Sequence, residues 1–217
     1  KMVANELRCY YHPWIAPKIR VVHNGYDPKK FAPPSKSKAE LRRELSLPED
    51  EVILLFAGSG WKRKGLKQAE AIAGACKNIK ARLVVVGKGD EKSLGKNTLY
   101  KGVVQNIEKY YQAADVMVLP TLYDPFSNAV LEALACGTPV VTTAQNGASE
   151  VVKEGVTGYV MPHPESNHKE AAYWIETHLG GDPKDIAETV ELWTLEHEVA
   201  AIKRIFAEVE KNKNNHG

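Results

Sequence analysis

The sequence predicts an α/β domain, a parallel sheet covered by helices on both faces. Two observations carry this expectation. Short apolar runs at residues 52–56, 83–86, 116–119 and 140–143 show no polar alternation, as in strands buried on both faces. Between them stand segments with apolar residues at helical spacing, such as Leu66, Ala69, Ile72, Ala73 and Cys76. The composition agrees: 217 residues, 43% hydrophobic and 26% charged, describe an ordinary globular chain of one domain plus appendages.

The elements follow in order. Residues 19–22 read as a short strand running into the turn His23-Asn24-Gly25-Tyr26. Ser37 caps a short helix over 38–46, which Leu47-Pro48 ends. The run at 52–56 is a buried strand. The loop 57–65 leads from it into the helix that begins at Leu66. A strand at 83–86 ends at Gly87-Lys88-Gly89-Asp90; residues 99–104 form a weaker strand and 105–113 a short helix. The strand at 116–119 is followed by a loop over 120–125 and a helix over about 127–136. Gly137-Thr138-Pro139 breaks that helix before the strand at 140–143. This alternation is that of a doubly wound, Rossmann-like domain of about 150 residues. The C-terminal part is helical. Leu192, Leu195, Val199, Ile202, Phe206 and Val209 follow 3-4 spacing, read as one long helix packed on the domain, with a frayed tail after it.

Composition also excludes function classes. Lys and Arg number 29 and Asp and Glu 27, a net charge of +2, far from the basic surplus of a nucleic-acid binder. Three cysteines, Cys9, Cys76 and Cys136, form no C-x-x-C pair; they read as buried small hydrophobes in a reducing compartment. No apolar run approaches the length of a membrane span, and no signal peptide opens the chain. The histidines His12, His163, His168 and His197 read as surface or turn residues; His23 lies in the turn near the domain's start.

In open parallel sheets ligands bind outside the carboxyl ends of the strands. Two loops there are unusual. Gly58-Ser59-Gly60-Trp61-Lys62-Arg63-Lys64-Gly65 joins a buried strand to a helix and holds three consecutive cations. Glycines let backbone approach a phosphate, and cations at a helix N-terminus are unfavourable unless an anion sits there. A solvated basic turn is the competing reading. The loop matches neither G-x-x-x-x-G-K-[ST] nor G-x-G-x-x-G. The second segment runs from Tyr123 through Asp124 to Val141. Its helix sets Glu132 among Val130, Leu131, Ala133, Leu134 and Ala135. A buried carboxylate without partners is costly, so Glu132 must have them. A pair of ribose hydroxyls would serve, and so would a Lys or Arg of the core.

Asp124-x7-Glu132, in the frame D-P-F-S-N-A-V-L-E-A-L-A-C-G-T-P-V-V, resembles the E-x7-E motif of GT-B retaining glycosyltransferases, family 4 in particular. Val21 to Asp27 resembles the family's I-P-N-G-V-D segment. Ala57 to Gly65 resembles its G-R-x-x-x-x-K-G loop. Asn146 to Val152 with Gly155-Val156-Thr157-Gly158 resembles its G-G-x-x-E segment. The match covers residues 18–162, and the loop is most similar to that of lipopolysaccharide-core glucosyltransferases. The resemblance implies the C-terminal, donor-binding half of a GT-B fold. Residues 1–17 would be left from the interdomain region, 18–165 would form the nucleotide-sugar-binding domain, and 166–217 would be helices that pack on or cross to a missing N-terminal acceptor domain.

It also implies roles. Lys64 and Arg63 would hold the donor diphosphate and the leaving charge, and Glu132 the ribose hydroxyls. Asp124 would meet the hexose hydroxyls. The loop residues Ser59 and Gly60, and the amides of Phe126, Ser127 and Asn128, would face phosphates and sugar, and the backbone at Val103 and Val104 the base. Three departures stand out: Asp124 replaces a Glu one methylene longer, Ser59 stands where many members carry Arg, and Ser127 replaces a common Gly. No D-x-D occurs, and cations with a helix N-terminus can neutralise a leaving diphosphate, so no metal and no cofactor are expected; the substrate that the resemblance implies is a nucleoside diphosphate sugar such as a UDP-sugar. A hexosyl transfer to a glycan, lipopolysaccharide or lipid acceptor follows, cytoplasmic, with peripheral membrane association of the full enzyme at the inner face. The chain alone is expected to bind donor but not to transfer. Competing readings are a GT-B sugar epimerase or phosphorylase and a non-catalytic nucleotide-binding domain. No pyridoxal-binding motif is apparent, and a pure interaction surface has no use for a carboxylate inside an apolar helix.

Overall fold

The computed structural model describes residues 1–11 and 13–214, with side chains up to 211. His12 therefore lies outside the described residues. The chain forms, in order, α1 (Met2–Tyr10), α2 (Lys38–Glu44), β1 (Val52–Ala57), α3 (Trp61–Lys64), α4 (Leu66–Ala75), β2 (Ala81–Val86), β3 (Thr98–Gly102), α5 (Ile107–Ala113), β4 (Val116–Leu119), α6 (Asn128–Ala135), β5 (Val140–Thr143), β6 (Gly158–Met161), α7 (His168–Thr177), α8 (Pro183–Glu188) and α9 (Leu195–Asn214). The strands make one sheet of order β3-β2-β1-β4-β5-β6, every pair parallel.

The two-sided cover follows from handedness. A parallel crossover is right-handed, so connections running toward β3 and toward β6 place their helices on opposite faces. α4, between β1 and β2, packs with α7 on one face. α5 and α6 lie on the other, joined by α2 and α8. The central strands are therefore sealed: Leu54, Leu55, Phe56, Val116 to Leu119, Val140 and Val141 have no exposure. Local chemistry sets the element ends. Ser37 and Glu40 form a reciprocal capping box at α2, and Asp182 caps α8 ahead of Pro183.

At the opposite end of the sheet from the strands' carboxyl termini, Asp115 ties three elements together. Its carboxylate accepts from Arg42 Nη2 at 2.5 Å, Lys38 Nζ at 3.0 Å and the Ile53 amide at 2.8 Å. Arg42, buried in α2, also donates to the carbonyls of Ala113 and Glu51.

Several expectations are corrected. Residues 19–22 form no strand: they have no ladder partner, and in the stretch 19–26 only Tyr26 makes a bridge, to Thr194. The helix α1 and the strand β6 were not expected. α9 does not bury its apolar stripe: Leu195, Val199, Ile202, Phe206 and Val209 are all more than a third exposed, Phe206 to 66%. Cys76 and Cys136 are buried, but Cys9 is exposed. His163 and His197 are exposed as expected and His168 half-buried; His23 Nε2 donates to Glu150 Oε2 across 2.9 Å beside Trp193. Among the described residues no helix is long and apolar enough to cross a membrane.

Candidate functional site

The strand order reverses direction between β1 and β4, and the loops leaving their carboxyl ends diverge to opposite faces, opening a crevice. Both loops singled out in the sequence emerge there. The first winds into the single turn α3, whose end at Gly65 has a left-handed backbone (φ +82°). A Cβ at Gly65 would overlap the Pro120 carbonyl oxygen, so only glycine lets this turn lie against the loop after β4. That loop is stitched to α3 by Leu122 N (2.8 Å) and Thr121 Oγ1 (2.9 Å), both donating to the Arg63 carbonyl. Gly65→Ala combines a steric overlap with a disfavoured φ. It is expected to destabilise the chain by about 2–3 kcal/mol, read as a lower urea midpoint.

This close approach brings the predicted ionic residues together. Lys64 Nζ donates to Asp124 Oδ2 at 2.6 Å and to Ser127 Oγ at 3.0 Å. Arg63 Nη1 donates to the same Asp124 oxygen at 3.1 Å and to the Tyr123 carbonyl at 2.8 Å. The other Asp124 oxygen accepts from the Phe126 amide at 3.2 Å. Asp124 is 6% exposed. Burial alone would raise its carboxyl, but Lys64 and Arg63 outweigh burial and hold it below the ordinary aspartate range. The loop is fixed from the far side too: Asn146 Oδ1 accepts from the amides of Ser127 and Ala148, each at 3.1 Å. Sequence reading placed Asn146 in a motif but gave it no role in shaping this loop.

Ser127 occupies the N-cap of α6, yet its side chain makes no capping bond; its hydroxyl is taken by Lys64. The first amides of α6 and its dipole thus stand beside a lysine and a half-exposed arginine, an arrangement suited to an anion. Ser59 lies across the crevice, where its hydroxyl accepts from the Lys88 amide at 3.1 Å. Asn128, at the start of α6, accepts through Oδ1 from Asn24 Nδ2 at 2.7 Å.

Beside the ionic cluster is a cleft of about 220 Å³, lined by Gly58, Ser59, Gly87, Val103, Val104, Tyr111 and Ala129 among others. Val103 is 76% exposed and Val104 packs against the core. Glu132 stands one helical turn beyond Ala129. It has no lysine or arginine partner among the described residues; the Tyr111 hydroxyl donates to its Oε2 at 3.0 Å. Tyr111 was missed in the sequence, where nothing ties it to a residue 21 positions away. Burial raises the Glu132 carboxyl above the ordinary glutamate range, with the Tyr111 hydrogen bond pulling the other way. A carboxyl whose pKa is raised by folding binds its proton more tightly in the native state, so its charge lowers stability as pH rises through that range. Glu132→Gln is accordingly expected to raise stability at pH 7 by up to about 1 kcal/mol, with the gap closing in melts at pH 4.

Parallel-sheet crevices of this form host many chemistries, and the fold alone does not define the family. The chain belongs to the glycosyl transferases group 1 family, whose model matches residues 37–193. An uncharacterised glycosyltransferase of Methanocaldococcus jannaschii is 32% identical over 166 residues, 69% of this chain and 43% of that protein. Sucrose-phosphate synthase from Thermosynechococcus elongatus superposes with a TM-score of 0.75 at 25% identity, over 97% of this chain and 57% of that one. The Anabaena protein HepE, solved in complex with UDP-glucose, shares the fold with a TM-score of 0.71 at 19% identity, over 90% of this chain and 58% of its own. The chain thus spans less than half the length of the curated relative, and its Rossmann-like sheet is that of the GT-B glycosyltransferases.

Proposed function

We propose that this domain binds the nucleoside diphosphate of a nucleotide-sugar donor at the β1/β4 crevice and that the longer protein transfers the sugar with retained configuration. The observation that carries this reading is the convergence of Lys64, Arg63, Asp124 and Ser127 at the N-terminus of α6, beside a cleft lined by Ala129 and by Tyr111, the hydrogen-bond partner of Glu132. Lys64 and Arg63 hold the diphosphate, assisted by the amides of Phe126, Ser127 and Asn128. Lys64 has three protons to donate, so it can turn one to a phosphate oxygen and keep Asp124. The base lies in the cleft against Val103 and Val104, with Gly58 and Ser59 forming the opposite lip. Glu132 accepts from the ribose hydroxyls, and Asp124, which keeps acceptor capacity beside its bonds to Lys64, Arg63 and the Phe126 amide, accepts from a hexose hydroxyl.

In the transfer, the bond between the anomeric carbon and the diphosphate oxygen breaks and a bond to the acceptor oxygen forms on the same face. The acceptor's proton passes to the departing diphosphate. Charge develops on that diphosphate, and preorganised cations and helix amides stabilise it where it appears. Because these groups already supply positive charge, transfer proceeds without a divalent metal. At about 220 Å³ the cleft is smaller than the roughly 300–1,000 Å³ usual for small-molecule sites. A second wall, with the acceptor, is assigned to the part of the longer protein outside this chain.

Calorimetric titration with UDP, GDP and ADP tests the reading; UDP is the natural first probe given the Anabaena complex. One of the three should bind, and Glu132→Ala should weaken it. Binding of none, or binding indifferent to Glu132→Ala and Lys64→Ala, contradicts it.

A further inference from the structure

We infer that Tyr111 is a positioning residue for donor recognition, its hydroxyl fixing one carboxylate oxygen of Glu132 so that the other is left for the ribose. The inference rests on the donor site proposed above. Tyr111 is 1% exposed, and its ring is held on several sides. Phe31 packs at 6.2 Å between centroids, and Thr138 Oγ1 donates to the Tyr111 carbonyl at 2.6 Å, locking the end of α5 to the turn after α6. The phenol is therefore rigid and aimed. Among the described residues it is the one hydrogen-bond partner of the Glu132 side chain, across 3.0 Å from Oε2.

That arrangement is uneconomical for stability alone. A buried phenol needs a partner, but the fold could satisfy it with a backbone carbonyl and avoid a partly buried charge. Instead a fully buried donor is matched to a carboxylate that makes no ion pair among the described residues. A glutamate side chain loses rotamer freedom when a ligand fixes it. With Oε2 already held by Tyr111, much of that loss precedes ligand binding. Tyr111 also lines the cleft next to Ala129, which shares a helical face with Glu132. The side chain that holds Glu132 thus forms a wall of the space the nucleoside occupies.

The test uses the 217-residue chain, the tightest binder among UDP, GDP and ADP, and the 2′,3′-dideoxy analogue of that nucleotide. Tyr111→Phe keeps the ring and removes the hydroxyl. It is expected to weaken the ribonucleotide about tenfold and leave the dideoxy analogue, which offers Glu132 nothing to accept, unchanged. In a Glu132→Ala background Tyr111→Phe should change neither ligand, because the effect runs through the carboxylate. Tyr111→Phe that binds the ribonucleotide like wild type, or that weakens both ligands alike as a merely structural role would, overturns the inference while leaving the donor site standing. A wild-type chain that binds no nucleotide removes the donor reading and the inference with it.

Discussion

Lys64→Ala should weaken nucleoside diphosphate binding by about 2–3 kcal/mol, roughly thirty- to 150-fold, and leave the free nucleoside nearly unaffected. The size follows from position. Lys64 is a mostly buried cation, its side chain 13% exposed, at the mouth of a helix N-terminus. There it is screened far less than a surface lysine. Arg63 cannot replace it, since Arg63 is about half exposed and already shared between Asp124 and the Tyr123 carbonyl. Loss of Lys64 also leaves Asp124 with a weaker cationic partner, so the remaining carboxylate repels the diphosphate. The discrimination between diphosphate and nucleoside separates this effect from general unfolding, and titration of both ligands against wild type and variant measures it. An equal loss for both ligands would place Lys64 in the scaffold instead.

Asp115→Ala should destabilise the chain by about 3 kcal/mol, a fall in melting temperature of roughly 6–12 °C for a domain of this size. Asp115 is the counter-ion of buried Arg42 and the acceptor for the Ile53 amide, the first of the central β1 residues. Its removal strands a buried guanidinium and a buried amide together, which costs far more than the pair itself contributes. Arg42 keeps its bonds to the Ala113 and Glu51 carbonyls, and these bound the loss. The site is at the other end of the strands, so nucleotide affinity measured well below the melting transition should not move. Thermal melts and urea midpoints give the first number, and titration gives the second.

How far the sequence discloses this molecule can be argued residue by residue. The central strands were legible because burial on both faces erases polar alternation, and β1, β2, β4 and β5 fall where the apolar runs stand. β6 was not: its four residues are Gly158, Tyr159, Val160 and Met161, too short and mixed to signal a strand without β5 beside it. Residues 19–22 show the converse, a β-branched stretch with no neighbour to pair with. Pattern likewise predicted the stripe on α9 and read it as packed on the domain, but in this chain the stripe faces outward. Within the site, the meeting of Lys64 with Asp124 follows from topology, since both lie at carboxyl ends of adjacent strands. The Gly65 contact that allows it, a close approach of two backbones, and the phenol behind Glu132, a contact of two side chains, span 55 and 21 positions. No periodicity encodes such contacts, so a reading of local pattern finds the carboxylate but not the group that holds it.

The central claim is that the β1/β4 crevice receives a nucleoside diphosphate, and mapping amide shifts by two-dimensional NMR during a UDP titration tests it most directly. The proposed site predicts that the largest changes fall on the amides of residues 58–65, 103–104 and 126–128, while those around Asp115 stay still. Shifts centred on another surface, or none at millimolar UDP, GDP and ADP, would contradict it.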